Sequence, residues 1–102
     1  MKNYHQSKSP PVTKAEQALL ICLIEECAEV TQAATKALRF GLHDTEPMGE
    51  YNNMQVLSQE IGDLLGTLDA LKQYVKFDNN HLAKARKSKP ERIKFYSRGI
   101  IT

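Results

Sequence analysis

Residues 57–71, LSQEIGDLLGTLDAL, and the earlier run 23–41, LIEECAEVTQAATKALRFG, decide the fold. In each, apolar residues recur at intervals of three and four, and each holds a pair of acids three apart, Glu26/Glu29 and Glu60/Asp63. This is the period of an amphipathic helix. The first stripe reads Leu19, Leu23, Glu26, Val30, Ala33 and Ala37, with one acid inside it. The second reads Met54, Leu57, Ile61, Leu64, Leu65, Leu68, Leu71 and Val75, and Glu60 falls between Leu57 and Leu64. Glu26 and Glu60 therefore border a packed seam. The pattern predicts an all-α protein built on two long antiparallel core helices, with shorter helices after them.

The ends of these helices are also written in the chain. Thr13 with Glu16 forms a capping-box pattern, so the first helix is expected to run from there to about Phe40, with Gly41 as an αL cap. Residues 41–50, GLHDTEPMGE, hold two Gly and a Pro and make a connection with at most a short turn of helix. The second helix is expected from Asn52 or Asn53 to about Phe77. Gly62 and Gly66 interrupt it at roughly 1 kcal/mol each relative to Ala; four apart, they share a face and admit close approach of another helix. Asp78-Asn79-Asn80 breaks or re-caps the chain. A short basic helix to about Lys87 and a last turn or two from Pro90 through Tyr96 complete the reading. Residues 1–12, MKNYHQSKSPPV, read as a flexible lead-in, and residues 13–102 as a single domain.

Composition narrows the class. One domain of 102 residues buries a modest share of its surface, which makes self-association plausible. Seven aromatics and no Trp weigh against a β-sandwich and against base-stacking platforms. The net charge of +2 is small, yet the stretch Lys84 to Arg98 holds seven of the fourteen Lys and Arg residues and a single acid, Glu91. Cys22 and Cys27 belong to no CxxC or Cys/His cluster and read as reduced core residues in a reducing compartment. The apolar run Ala18–Ile24 is too short to span a bilayer. A cytoplasmic location, without a membrane partner, is the expectation.

The acids carry the chemistry. Residues at i and i+3 share a helix face, so two facing helices would gather four carboxylates at a seam, where like charges repel and burial adds to the cost. A divalent cation relieves both effects. An all-carboxylate site suits Mg²⁺ or Mn²⁺, whereas di-iron bundles need Glu-x-x-His, and His5, His43 and His81 lie outside the acid pairs. Mg²⁺ commonly keeps its waters and binds substrate phosphates through a few carboxylates. The basic segment Lys84, Arg86, Lys87, Lys89, Arg92, Lys94 and Arg98 then has an anionic partner to meet. A solvated surface is the ordinary fate of one such acid pair; two pairs beside two apolar stripes tip the reading to a site. For the basic tail, a solvated face or a weak nucleic-acid patch stands level with a substrate clamp.

Glu25-Glu26-Cys27-Ala28-Glu29 followed by Glu60-Ile61-Gly62-Asp63 resembles the EExxE and ExxD motifs of the MazG-type nucleoside triphosphate pyrophosphohydrolases, in the all-α NTP pyrophosphatase superfamily. The likeness covers about residues 15–97, and the tail AKARKSKPERIKFYS resembles that of short phage-type members. The resemblance implies a homodimer or a dimer of dimers that holds Mg²⁺ and cuts a (d)NTP to a nucleoside monophosphate and pyrophosphate, in nucleotide-pool control or housecleaning. It implies Glu26, Glu29, Glu60 and Asp63 as metal ligands, Glu25 as the residue orienting or deprotonating the attacking water, and Lys84, Lys87, Arg92 and Lys94, with Tyr96, as phosphate contacts. Phe40, Tyr51, Tyr74 or an adjoining subunit would read the base. A non-enzymatic helical module with a basic nucleic-acid-binding tail is the competing class.

Overall fold

We describe a computed structural model of the chain, covering residues 9–102. The expected lead-in falls partly outside the described residues; of it, residues 9–12 are exposed and non-helical. Three helices, α1 (Lys14–Phe40), α2 (Asn53–Lys72) and α3 (Asn79–Tyr96), account for the regular structure among the described residues, with one isolated bridge, Thr45 to Asn52. The protein is all-α.

α1 starts where its sequence says it should. The Thr13 hydroxyl accepts from the Glu16 N–H at 3.1 Å and the Glu16 carboxylate accepts from the Thr13 N–H at 2.8 Å, a complete capping box. The inward residues are those of the apolar stripe: Leu19, Leu23, Glu26 and Val30 are half-buried, and Ala33 and Ala37 are buried. Gly41 ends the helix at φ 98, ψ 152, so it is not the αL cap expected. Positive φ is still needed there, because the chain turns sharply into the connection while the Gly41 N–H closes on the Ala37 carbonyl at 2.9 Å.

The connection contains no turn of helix. Its first part is stitched to the start of α2: Asn53 N–H to Asp44 O at 2.9 Å, Met54 N–H to Leu42 O at 2.8 Å, and the Asn53 side-chain amide to Gly41 O at 2.9 Å. Asn53 is 7% exposed and is the one buried polar residue among those described. Asn52 caps α2, its side chain accepting from the Gln55 N–H at 2.8 Å.

α2 stops at Lys72, five residues short of the expected Phe77. The Gln73, Tyr74 and Val75 N–H groups all fold back on Ala70 or Leu71 carbonyls, which closes the helix in a tight turn. Extended backbone follows because Asp78 must leave the helix to cap α3, where its side chain accepts from the His81 N–H at 3.1 Å. The separate basic helix and final turn are in fact one helix running through Pro90. All of α3 is exposed, and on such a helix solvent can replace the donor that the Arg86 carbonyl loses at Pro90. Arg92 also reaches back to Ala85 O and Ser88 Oγ, both at 3.3 Å.

α1 and α2 pack on each other, and no Cα of α3 lies within 8 Å of either. Facing residues run in opposite order: Lys36 and Ala33 meet Val56, Glu26 meets Asp63, and Leu19 shares a groove with Ala70. Leu71 is fully buried, and with Ala33 and Ala37 it forms the buried apolar core. The other faces remain open, with Ile24 (68%), Leu38 (87%) and Leu65 (56%) largely exposed.

Candidate functional site

The seam between α1 and α2 carries acids at its middle. Glu26 from α1 and Glu60 and Asp63 from α2 each present a carboxylate oxygen within 4.8 Å of the other two. Helical phase puts them there: Glu26 sits in the stripe between Leu23 and Val30, and Glu60 and Asp63 are one turn apart. Glu26 and Glu60 are half-buried and Asp63 is exposed, so the cluster opens outward.

Glu26 is the anomaly. Its Oε2 is buried with no hydrogen-bond partner, and such an atom is a liability in a folded chain. Desolvation holds its pKa above the usual carboxylate range, and the charges of Asp63, Glu60, Glu29 and Glu25 push it further in the same direction. A proton or a cation would settle that oxygen. The donor set, three carboxylates with no His or Cys among them, is the chemistry of a hard divalent ion such as Mg²⁺ or Mn²⁺.

An open groove of about 560 Å³ runs from the cluster along α2, lined by Glu26, Asp63, Gly62, Gly66, Thr67 and Ala70. A Cβ added at Gly62 or Gly66 would meet nothing within 4 Å. Among the described residues no helix approaches those glycines closely; their effect is to leave the groove floor low beside the acids.

The remaining expected site residues are placed differently. Glu29 is exposed and outside the trio, in a smaller groove with Glu60, Gln32, Ala33, Val56 and Lys36. Glu25 is exposed next to Glu26 and acts on it through charge. Lys84, Lys87, Arg92, Lys94 and Tyr96 all lie on exposed α3 and line neither acid-bearing groove. Lys94 pairs with Glu91 at 3.3 Å, and Tyr96 stacks edge-on against Phe95 with ring centroids 5.2 Å apart. The fold of the chain does not bring the basic tail and the acid trio together. Of the aromatic candidates, Tyr51 borders a groove with Lys36, Glu46 and Asn53, Phe40 lies under the Arg39 guanidinium, and Tyr74 is exposed beyond α2.

Lys36 is the residue that sequence reasoning passed over. It stands two turns after Glu29 on α1, lines the groove holding Glu29 and Glu60, and pairs with Glu46 of the connection at 2.8 Å. Its spacing from Glu29 was a readable signal, whereas its pairing with Glu46 depends on the path of the connection.

No protein-family model matches the chain, and no curated protein or solved structure matches it either. No helix among the described residues is long and apolar enough to cross a membrane.

Proposed function

We propose that this chain is a Mg²⁺- or Mn²⁺-dependent pyrophosphohydrolase of the MazG type, converting a (deoxy)nucleoside triphosphate to a nucleoside monophosphate and pyrophosphate. The observation that carries the reading is the convergence of Glu26, Glu60 and Asp63 with an orphaned, buried Glu26 oxygen. The EExxE and ExxD motifs point the same way.

Glu26, Glu60 and Asp63 would hold the metal, with Glu29 reaching it from the adjoining groove. When bound, the ion supplies charge neutralisation at the phosphate oxygens and acidifies water. Glu25 orients or deprotonates the attacking water from the exposed side. The water oxygen bonds to a phosphorus of the α–β anhydride as that bridge breaks, the leaving phosphate group keeps the bridging oxygen and its electron pair, and the water proton passes to Glu25 or to solvent. No side-chain nucleophile is required.

In this reading α1 and α2 form an antiparallel core that assembles with further copies into a dimer or tetramer. The open apolar faces around Ile24, Leu38 and Leu65 support association. Association would also give Lys84, Lys87, Arg92, Lys94 and Tyr96 a route to phosphates that they lack within one protomer. The test is incubation with each dNTP and Mg²⁺. Monophosphate plus pyrophosphate is expected, and release of orthophosphate and diphosphate would overturn the assignment.

One observation favours a second reading. α3 is basic and exposed, and no Cα of it lies within 8 Å of α1 or α2, as in a tail that binds nucleic acid or an acidic partner. Steeply salt-dependent oligonucleotide binding, indifferent to Mg²⁺, would select it.

A further inference from the structure

Lys36 lines the same groove as Glu29 and Glu60. The groove along Glu26 and Asp63 has no Lys or Arg in its lining, whereas that of Glu29 and Glu60 includes Lys36. Its position on α1 is on the inward face with Ala33 and Ala37, and Lys36 itself is half-buried. The tip is shared: Lys36 Nζ rests 2.8 Å from Glu46 Oε1, while both side chains stay partly exposed.

The connection that supplies Glu46 is fastened unevenly. Residues 41–45 are tied to α2 by the Asn53 and Met54 bonds and the Thr45–Asn52 bridge. The tip 46–50 has a local turn, with Gly49 N–H donating to Glu46 O at 2.7 Å, and the Lys36–Glu46 pair joins it to α1. Lys36 also lines the groove formed with Gly49, Glu50, Tyr51 and Asn53, so one side chain borders both the acid groove and the connection.

We infer that Lys36 is the phosphate-contacting residue contributed by the same protomer, with the Glu46 carboxylate occupying the ammonium until a polyphosphate displaces it. The inference rests on the proposed triphosphate site and deepens it. A carboxylate and a phosphate oxygen compete for the same ammonium donors. An exposed pair of this kind is weak enough to exchange. Displacement would uncouple the tip 46–50 from α1 at the moment the substrate arrives.

The test uses full-length protein with Mg²⁺ and two probes, inorganic tripolyphosphate and an α,β-imido deoxynucleoside triphosphate, followed by calorimetric titration. Lys36→Gln should weaken binding of both roughly tenfold to a hundredfold. Glu46→Gln, by freeing the ammonium, should tighten binding by up to about fivefold. The opposite signs are diagnostic: a pair that only fastens the tip would make both substitutions weaken binding together, and that result overturns the inference. Unchanged binding by Lys36→Gln, with the wild-type protein binding well, overturns it too and leaves the pyrophosphohydrolase reading standing. Wild-type protein that binds neither probe overturns both.

Discussion

Replacing Gly66 with Ala tests the description of the groove on which the functional reading depends. Gly66 lies inside α2 with no positive φ, and an added Cβ would meet no atom within 4 Å. With no steric penalty, the intrinsic preference remains, and Ala exceeds Gly in a helix interior by about 0.8–1 kcal/mol. For a chain of this length 1 kcal/mol corresponds to roughly 4–8 °C in melting temperature, so a rise of that order is expected. The assay is thermal unfolding followed by helical circular dichroism in EDTA, across a dilution series with molecular mass measured alongside. A melting temperature that is unchanged or lowered in dilute, monomeric protein would refute the open groove. A gain that is present in dilute protein and shrinks as the chain associates would place a second helix over the glycines, because the new methyl groups then meet it.

Glu26→Gln gives a prediction with a definite pH sign. The folded-state pKa of Glu26 lies above its ordinary value of 4.5, so its favourable contribution is complete below that pH and is lost as pH rises through the folded value. Metal-free wild-type protein should lose stability across that window more than Glu26→Gln does, and denaturant titration from acid to neutral pH in EDTA would show it; identical profiles would mean that neither desolvation nor its acidic neighbours raise the Glu26 pKa on folding. Glu46 and Asp78 act oppositely, since Lys36 and His81 hold their pKa values down, and their contribution is lost only as pH falls through those lowered values. Mg²⁺ should raise the melting temperature of the wild type and not of Asp63→Asn; an equal rise in both would place the metal elsewhere. Asn53→Ala should cost about 1–3 kcal/mol because Gly41 O loses its side-chain donor, read from chemical denaturation, and a loss within error would mean that solvent already reaches that carbonyl.

Much of the fold was legible because helices are specified locally. The capping box at Thr13, the Asn52 start of α2 and the stripe from Leu19 to Ala37 each depend on residues within a turn or two of one another, so sequence and structure agree there. Errors arose where distant or competing interactions decide. The apolar positions Val75 and Phe77 continued the helical period, but Asp78 is needed as the cap of α3 and pulls the backbone out. Pro90 read as a boundary, yet on a fully exposed helix the lost Arg86 bond can be replaced by water.

The candidate site divides in the same way. The sequence alone determined that acids would stand inside two apolar stripes, because helical phase follows from spacing. Only the tertiary structure decided which acids meet: the register between α1 and α2 gathers Glu26, Glu60 and Asp63, sets Glu29 in the next groove, and strips the Glu26 oxygen of partners. It also kept the basic residues of α3 away from the acids and put Lys36 beside Glu29 and Glu60. Such relations depend on how far one helix slides past another and where a loop returns, and no local pattern of residues encodes either.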